Sequence, residues 1–95
     1  MENQFISQLG SADLQSYILC LQAYQNSQCY GEDIMYVGFN KYSGYVYITL
    51  ENGIQIASCF GNSVDYIIND FDTGAEEFFD TYEDAINHLE LKSLR

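Results

Sequence analysis

The dipeptide Asn52-Gly53 stands between two runs rich in β-branched and aromatic residues, Tyr45-Val46-Tyr47-Ile48-Thr49-Leu50-Glu51 before it and Ile54-Gln55-Ile56-Ala57-Ser58-Cys59-Phe60 after it. Asn-Gly in that setting is the strongest short hairpin signal, because a two-residue type I′ turn needs positive φ at both central positions. The chain must therefore contain an antiparallel β-hairpin near its middle. A two-residue loop pairs Glu51 with Ile54 and sets a register. It predicts Val46, Ile48, Leu50, Ala57 and Cys59 on the core face, and Tyr45, Tyr47, Thr49, Ile56, Ser58 and Phe60 on the other.

The rest of the chain is read outward from that hairpin. Ile34-Met35-Tyr36-Val37-Gly38-Phe39 has strand composition, and Asn40-Lys41-Tyr42-Ser43-Gly44 supplies a turn into the first arm. Residues 11–26 carry Leu14, Tyr17, Ile18, Leu21 and Tyr24 at helical spacing behind a possible cap at Ser11 or Asp13, which predicts an amphipathic helix. Residues 63–80 fit two patterns. Val64, Ile67, Ile68 and Phe71 form a helical stripe, whereas the β-enriched runs on either side of Asp72-Thr73-Gly74 form a second hairpin, the reading preferred here. After them Asp80 or Thr81 caps a last helix, with Glu83 or Asp84 completing a capping box and Tyr82, Ala85, Ile86 and Leu89 as its apolar face, ending near Leu91. The expectation is a single α+β domain over residues 1–95: a helix, an antiparallel meander of three to five strands, and a helix, with both helices on one sheet face. The other face, rich in tyrosine, reads first as the apolar area that any small domain exposes or as covered by a curling sheet, and second as a surface for a partner or for homodimerisation.

Ninety-five residues bury one core, and the 47% hydrophobic content excludes a disordered acidic tail. No apolar run reaches the roughly 18 residues of a membrane span, and the opening MENQFISQLG has neither a basic nor an apolar leader region, which predicts a cytoplasmic protein. Cys20, Cys29 and Cys59 are odd in number and form no CxxC pair, so they read as reduced, structural thiols rather than disulfides or zinc ligands. The one histidine, His88, sits four residues after Asp84, the spacing of a surface pair on a helix. Asp70-Phe71-Asp72-Thr73-Gly74 begins like a calcium loop, but loop position five, which needs an oxygen ligand, is Gly74, and position twelve, which needs glutamate, is Thr81. No nucleophile or phosphate-loop context is present, and the reading is of a non-enzyme without cofactor or metal.

Charge placement is the functional lead. From residue 51 to 91 the chain carries ten acids and no Lys or Arg, within a formal net charge of −11. Ten like charges folded into one region set up a strong negative field, which repels nucleic acid and attracts a basic partner. Asp70, Asp72, Glu76, Glu77 and Asp80 form the centre of the expected surface, with Glu83 and Asp84 at its edge and Tyr66, Phe71 and Phe78 as possible apolar anchors.

In this acidic C-terminal half, and in size and charge, the chain resembles the small phage and mobile-element inhibitors of bacterial defence, the anti-CRISPR and anti-restriction DNA mimics. The resemblance implies exposed carboxylates that occupy a basic, nucleic-acid-binding cleft of an effector or nuclease, with no direct contact to nucleic acid or membrane. An immunity protein or antitoxin against a basic nuclease toxin satisfies the same charge logic. A third reading is an oligomerising phage or structural protein that uses the tyrosine-rich sheet face, with the acidity serving solubility.

Overall fold

The computed structural model describes residues 10–27, 29–40, 42–60 and 64–93. Their order is α1 (Ser11–Gln25), β1 (Ile34–Phe39), β2 (Val46–Leu50), β3 (Ile54–Phe60), β4 (Val64–Asp70), β5 (Ala75–Phe79) and α2 (Tyr82–Ser93). The five strands form one antiparallel sheet in the order β1-β2-β3-β4-β5. Against one face of it α1 packs on β2 and β3, and α2 on β4 and β5, the α+β architecture expected from the sequence.

The segment whose pattern was ambiguous is a hairpin. Residues 71–74 connect β4 to β5, with Asp70 opposite Ala75 and Gly74 at φ +77°. Asp70 Oδ1 accepts from the amides of Asp72 (3.0 Å) and Thr73 (3.4 Å), Thr73 Oγ1 accepts from Ala75 N, and Gly74 N donates to Asp70 O. The β1–β2 loop repeats the same chemistry. Asn40 Oδ1 accepts from Tyr42 N and Ser43 N, Ser43 Oγ accepts from Tyr45 N, and Gly44 N donates to Asn40 O, with Gly44 at φ +81°. An Asx residue, two positions, a hydroxyl residue and glycine thus close two loops in one way, because a short polar side chain satisfies the turn amides and glycine takes the left-handed position.

The central hairpin forms where the sequence places it but not in the register expected of it. Its loop is residues 51–53, three residues long, since Val46 pairs with Ser58, Ile48 with Ile56 and Thr49 with Gln55. Asn52 Oδ1 accepts from Ile54 N at 3.0 Å, and Gly53 alone carries positive φ, +89°; among the described residues no side-chain-bearing residue does. A turn that bonds Gly53 N to Leu50 O and then places glycine in the left-handed region needs one residue more than a type I′ loop. The extra residue turns β3 over. Ile54, Ile56 and Ser58 lie on the helix-covered face with Val46, Ile48 and Leu50, while Gln55, Ala57 and Cys59 lie on the open one, which corrects the expected assignments of Ile56, Ala57, Ser58 and Cys59.

Cross-strand rows describe the core. Val37, Ile48, Ile56, Ile68 and Glu77 form one row on the helix-covered face, and Phe39, Val46, Ser58, Tyr66 and Phe79 form the next. Ile48, Ile56 and Ile68 are fully buried, and burial of each such side chain contributes roughly 1.5–3 kcal/mol.

The helix face that meets this core is also rotated from the expected stripe. Ser16, Tyr17, Cys20 and Ala23 are buried, Leu14, Leu21 and Tyr24 pack at the flanks, and Ile18 is exposed. Small residues at spacing 16, 20 and 23 let α1 approach the sheet closely enough for Phe60 N to donate to Ser16 Oγ (2.8 Å) and for Cys20 Sγ to donate to Val46 O (3.1 Å). Gly10 takes the N-cap position of α1 without a side-chain bond, so neither Ser11 nor Asp13 serves there. Thr81 does cap α2, its Oγ1 accepting from Asp84 N at 3.2 Å. The Tyr82 hydroxyl accepts from Asn26 Nδ2 (2.7 Å) and donates to Gln22 O (3.2 Å), which ties the two helices together.

Candidate partner-binding surface

Strand β5 is an edge of the sheet, and its sequence Ala75-Glu76-Glu77-Phe78-Phe79 puts side chains alternately on the two faces. Glu76 lies opposite Asn69 on the open face, and Glu77 ends the core row opposite Ile68 on the helix-covered face; both are exposed. Carboxylates therefore flank the unpaired edge on either side. Exposed Asp72 precedes the strand, and exposed Asp80, Glu83 and Asp84 follow it in the connection and the first turn of α2. Residues 75–80 span roughly 17 Å at about 3.4 Å per residue, so these acids form a ridge along the edge rather than one knot. Like charges spread along a strand in this way limit edge-to-edge self-pairing, since a second copy would have to bring its own carboxylates alongside.

Asp70 does not belong to the ridge. It is 7% exposed, and its carboxylate is engaged by the loop amides it caps, so its place in the expected surface is corrected to a structural one. Two other exposed acids meet at the same end of the sheet as the 71–74 loop but outside the β5 ridge. The exposed residues Asp33 and Glu51 are joined by the bond from Glu51 N to Asp33 O (2.9 Å), at the end of the sheet where Phe71 N also donates to Gly53 O (2.9 Å). Asp72 lies beside the same turn, its carboxylate 3.1 Å from where a Cβ on Gly53 would sit. The signal in the sequence was the turn glycine, because Gly53 and Gly74 end loops at the same end of neighbouring hairpins.

Of the three candidate anchors, Tyr66 is core, packed against Tyr82 with ring centroids 6.0 Å apart. Phe71 and Phe78 are 58% and 65% exposed, so two of the three are open to solvent. Phe78 ends an apolar row across the open face, Gly38, Tyr47, Ala57, Ile67 and Phe78. Beside it runs a polar row, Tyr36, Thr49, Gln55, Asn69 and Glu76, in which Gln55 Nε2 donates to Thr49 Oγ1 (3.1 Å) and Asn69 Nδ2 to Gln55 Oε1 (2.8 Å). This side-chain ladder satisfies the open face locally and narrows its apolar part to the row that reaches Phe78. The tyrosine-rich face expected from the sequence is thus a mixed one.

The histidine and two of the three cysteines sit in packed surroundings. His88 rests on Phe79, ring centroids 5.0 Å apart. Cys20 and Cys29 are buried, and no disulfide forms among the described residues. Burial pushes the Cys20 thiol far above its usual range, and at Cys59 burial, then the Asp65 and Asp13 carboxylates, push it up as well. A raised thiol pKa leaves little thiolate at neutral pH and makes both poor nucleophiles. Among the described residues no three His, Cys, Asp or Glu side chains gather as metal ligands. Among the same residues no helix is long and apolar enough to cross a membrane.

Comparison of the chain with protein-family models, with curated proteins and with solved structures finds no match.

Proposed function

We propose that this chain is a non-catalytic binding protein of the cytoplasm that occludes a basic, nucleic-acid-binding cleft of a partner protein, as the acidic anti-defence inhibitors do. The observation that carries the reading is the exposed ridge of Asp72, Glu76, Glu77, Asp80, Glu83 and Asp84 along a sheet edge, with exposed Phe78 between the carboxylates. Ridge carboxylates accelerate encounter with a Lys/Arg-lined cleft, and an aromatic side chain desolvated at the centre of the contact slows dissociation. An immunity protein against a nuclease toxin would use the ridge identically, and the identity of the captured partner separates the two.

The test is capture of partners from host lysate by the parent chain and by a variant with Asp72, Glu76, Glu77 and Asp80 replaced by Lys. Asp70 is left intact because its carboxylate holds the loop. The parent should retain a nucleic-acid-binding protein at low salt and lose it steeply as the Debye length falls to about 8 Å. The folded Lys variant should retain none of it. A partner that tolerates the four lysines, or holds equally at high salt, transfers the function to the open sheet face.

A further inference from the structure

The dipeptide that builds the central turn is also the step of the chain most open to attack by its own backbone. Of the seven asparagines only Asn52 precedes glycine, the others being followed by Gln, Ser, Lys, Asp or His. An asparagine side-chain carbonyl lies within reach of the next residue's amide nitrogen, and glycine brings no Cβ to crowd that nitrogen and little restriction on its dihedral angles. Asn52 is exposed to water, yet the turn holds both reacting groups. Gly53 N donates to Leu50 O at 3.1 Å, and Asn52 Oδ1 accepts from Ile54 N at 3.0 Å, so the side-chain carbonyl is engaged beyond Gly53. Gly53 O accepts from Phe71 N at 2.9 Å, which fixes the other side of the glycine as well. The Asp72 carboxylate comes within 3.1 Å of where a Gly53 Cβ would sit, and its charge opposes an anion on the neighbouring nitrogen.

We infer that Asn52-Gly53 is a self-modification site gated by the β2–β3 turn: the closed turn protects the asparagine, and the open turn lets Gly53 N cyclise onto the Asn52 side chain. In the open turn Gly53 N gives up its proton and bonds to Asn52 Cγ, the Cγ–Nδ2 bond breaks, and Nδ2 leaves as ammonia with that proton. Water then opens the cyclic imide. Cleavage of the new N–Cγ bond leaves aspartate at 52, whereas cleavage between the nitrogen and the main-chain carbonyl carbon leaves isoaspartate, in which the chain runs through Cβ and Cγ. Nothing is oxidised or reduced, and water is the only co-reactant. Either product adds a carboxylate beside Glu51 and close to Asp72. The two products differ in the turn they can make. Aspartate keeps an oxygen acceptor for Ile54 N, while isoaspartate adds a backbone atom to a loop whose three residues set the register. An isoaspartyl chain thus loses the turn that puts Ile54, Ile56 and Ser58 in the core, and each opening carries a chance of permanent damage to the fold.

The test follows the full chain at neutral pH, native and unfolded in guanidinium chloride, by peptide mass spectrometry that separates Asn52 from its aspartyl and isoaspartyl products. A short peptide spanning the dipeptide, incubated with and without guanidinium chloride, corrects for the solvent. In the unfolded chain Asn52 should convert faster than every other asparagine. In the native chain its conversion should be at least about ten-fold slower, because the reaction waits on opening of the turn. Native-state hydrogen exchange of the Gly53 amide reports that same opening, so its protection factor should match the measured slowing to within about three-fold. Equal conversion in native and unfolded chains, or a slowing well short of the Gly53 protection, overturns the gate. The isoaspartyl chain, isolated from the unfolded sample and returned to buffer, should melt below Asn52→Asp, which carries the same added charge with the ordinary backbone. Equal melting of the two would overturn the claim that isoaspartate loses the turn. No partner protein enters these measurements, so their outcome is independent of the ridge experiment.

Discussion

Tyr66 and Asp70 lie on the same strand and the same sheet face and illustrate opposite uses of a polar atom. The Tyr66 hydroxyl is buried with no hydrogen-bond partner among the described residues, and burial, then Cys20 and Tyr82, push its pKa up to about 12. In the unfolded chain a tyrosine ionises near pH 10, so the folded state holds the proton over a window in which the unfolded state loses it. The Tyr66 contribution is complete below about pH 10 and falls away as pH rises toward 12. Tyr66→Phe should therefore leave stability at neutral pH unchanged or raise it by up to about 2 kcal/mol, because it removes a buried hydroxyl without a partner, while flattening the loss of Tm between about pH 9 and about pH 11.5. A large neutral-pH loss would show that the hydroxyl is bonded. Asp70→Ala, by contrast, strips two loop amides of a charged acceptor and should cost about 1–3 kcal/mol in urea unfolding. Asp72→Ala, at an exposed position, should stay within about 0.5 kcal/mol.

At the scale of elements, the β2–β3 register decides which cysteine meets solvent. In the observed pairing Cys59 lies on the open face and Ser58 in the core; a one-residue slip would exchange them. A thiol reagent applied to the native protein should therefore modify Cys59 first, slowly because its pKa is raised, and leave Cys20 and Cys29 until the chain unfolds. Protection of Cys59 equal to that of Cys20 would contradict the register. The order of elements, both outer hairpins and the Thr81 cap were legible in the sequence because each rests on local chemistry: glycine at a left-handed position, an Asx or hydroxyl side chain reaching a nearby amide. The register was not, because Asn52-Gly53 is compatible with two loop lengths, and what decides is the side chain of Asn52 bonding Ile54 N. The buried stripe of α1 was legible only in part, with Tyr17 in the core, Leu14, Leu21 and Tyr24 packed on it and Ile18 exposed. Weight given to large apolar residues overlooks Ser16, Cys20 and Ala23, which are buried because they are small. In the candidate surface the exposed acids of β5 and α2 were legible from charge alone. The inward turn of Asp70 was not, since it depends on the loop amides that its carboxylate accepts from.

For the whole molecule, the acidic ridge and a strand without charged residues stand at opposite edges of the sheet. The acidic ridge follows β5, while β1, at the opposite edge, is the uncharged Ile34-Met35-Tyr36-Val37-Gly38-Phe39. The account stands on the claim that the ridge competes with nucleic acid for one cleft. The direct measurement is displacement: the captured partner is loaded with a fluorescently labelled duplex, and the chain is titrated in at fixed salt while the duplex is followed by anisotropy. The account predicts full release with the parent chain and no release with the variant carrying Lys at 72, 76, 77 and 80. A ternary complex that retains the duplex, or release by parent and variant alike, would contradict it.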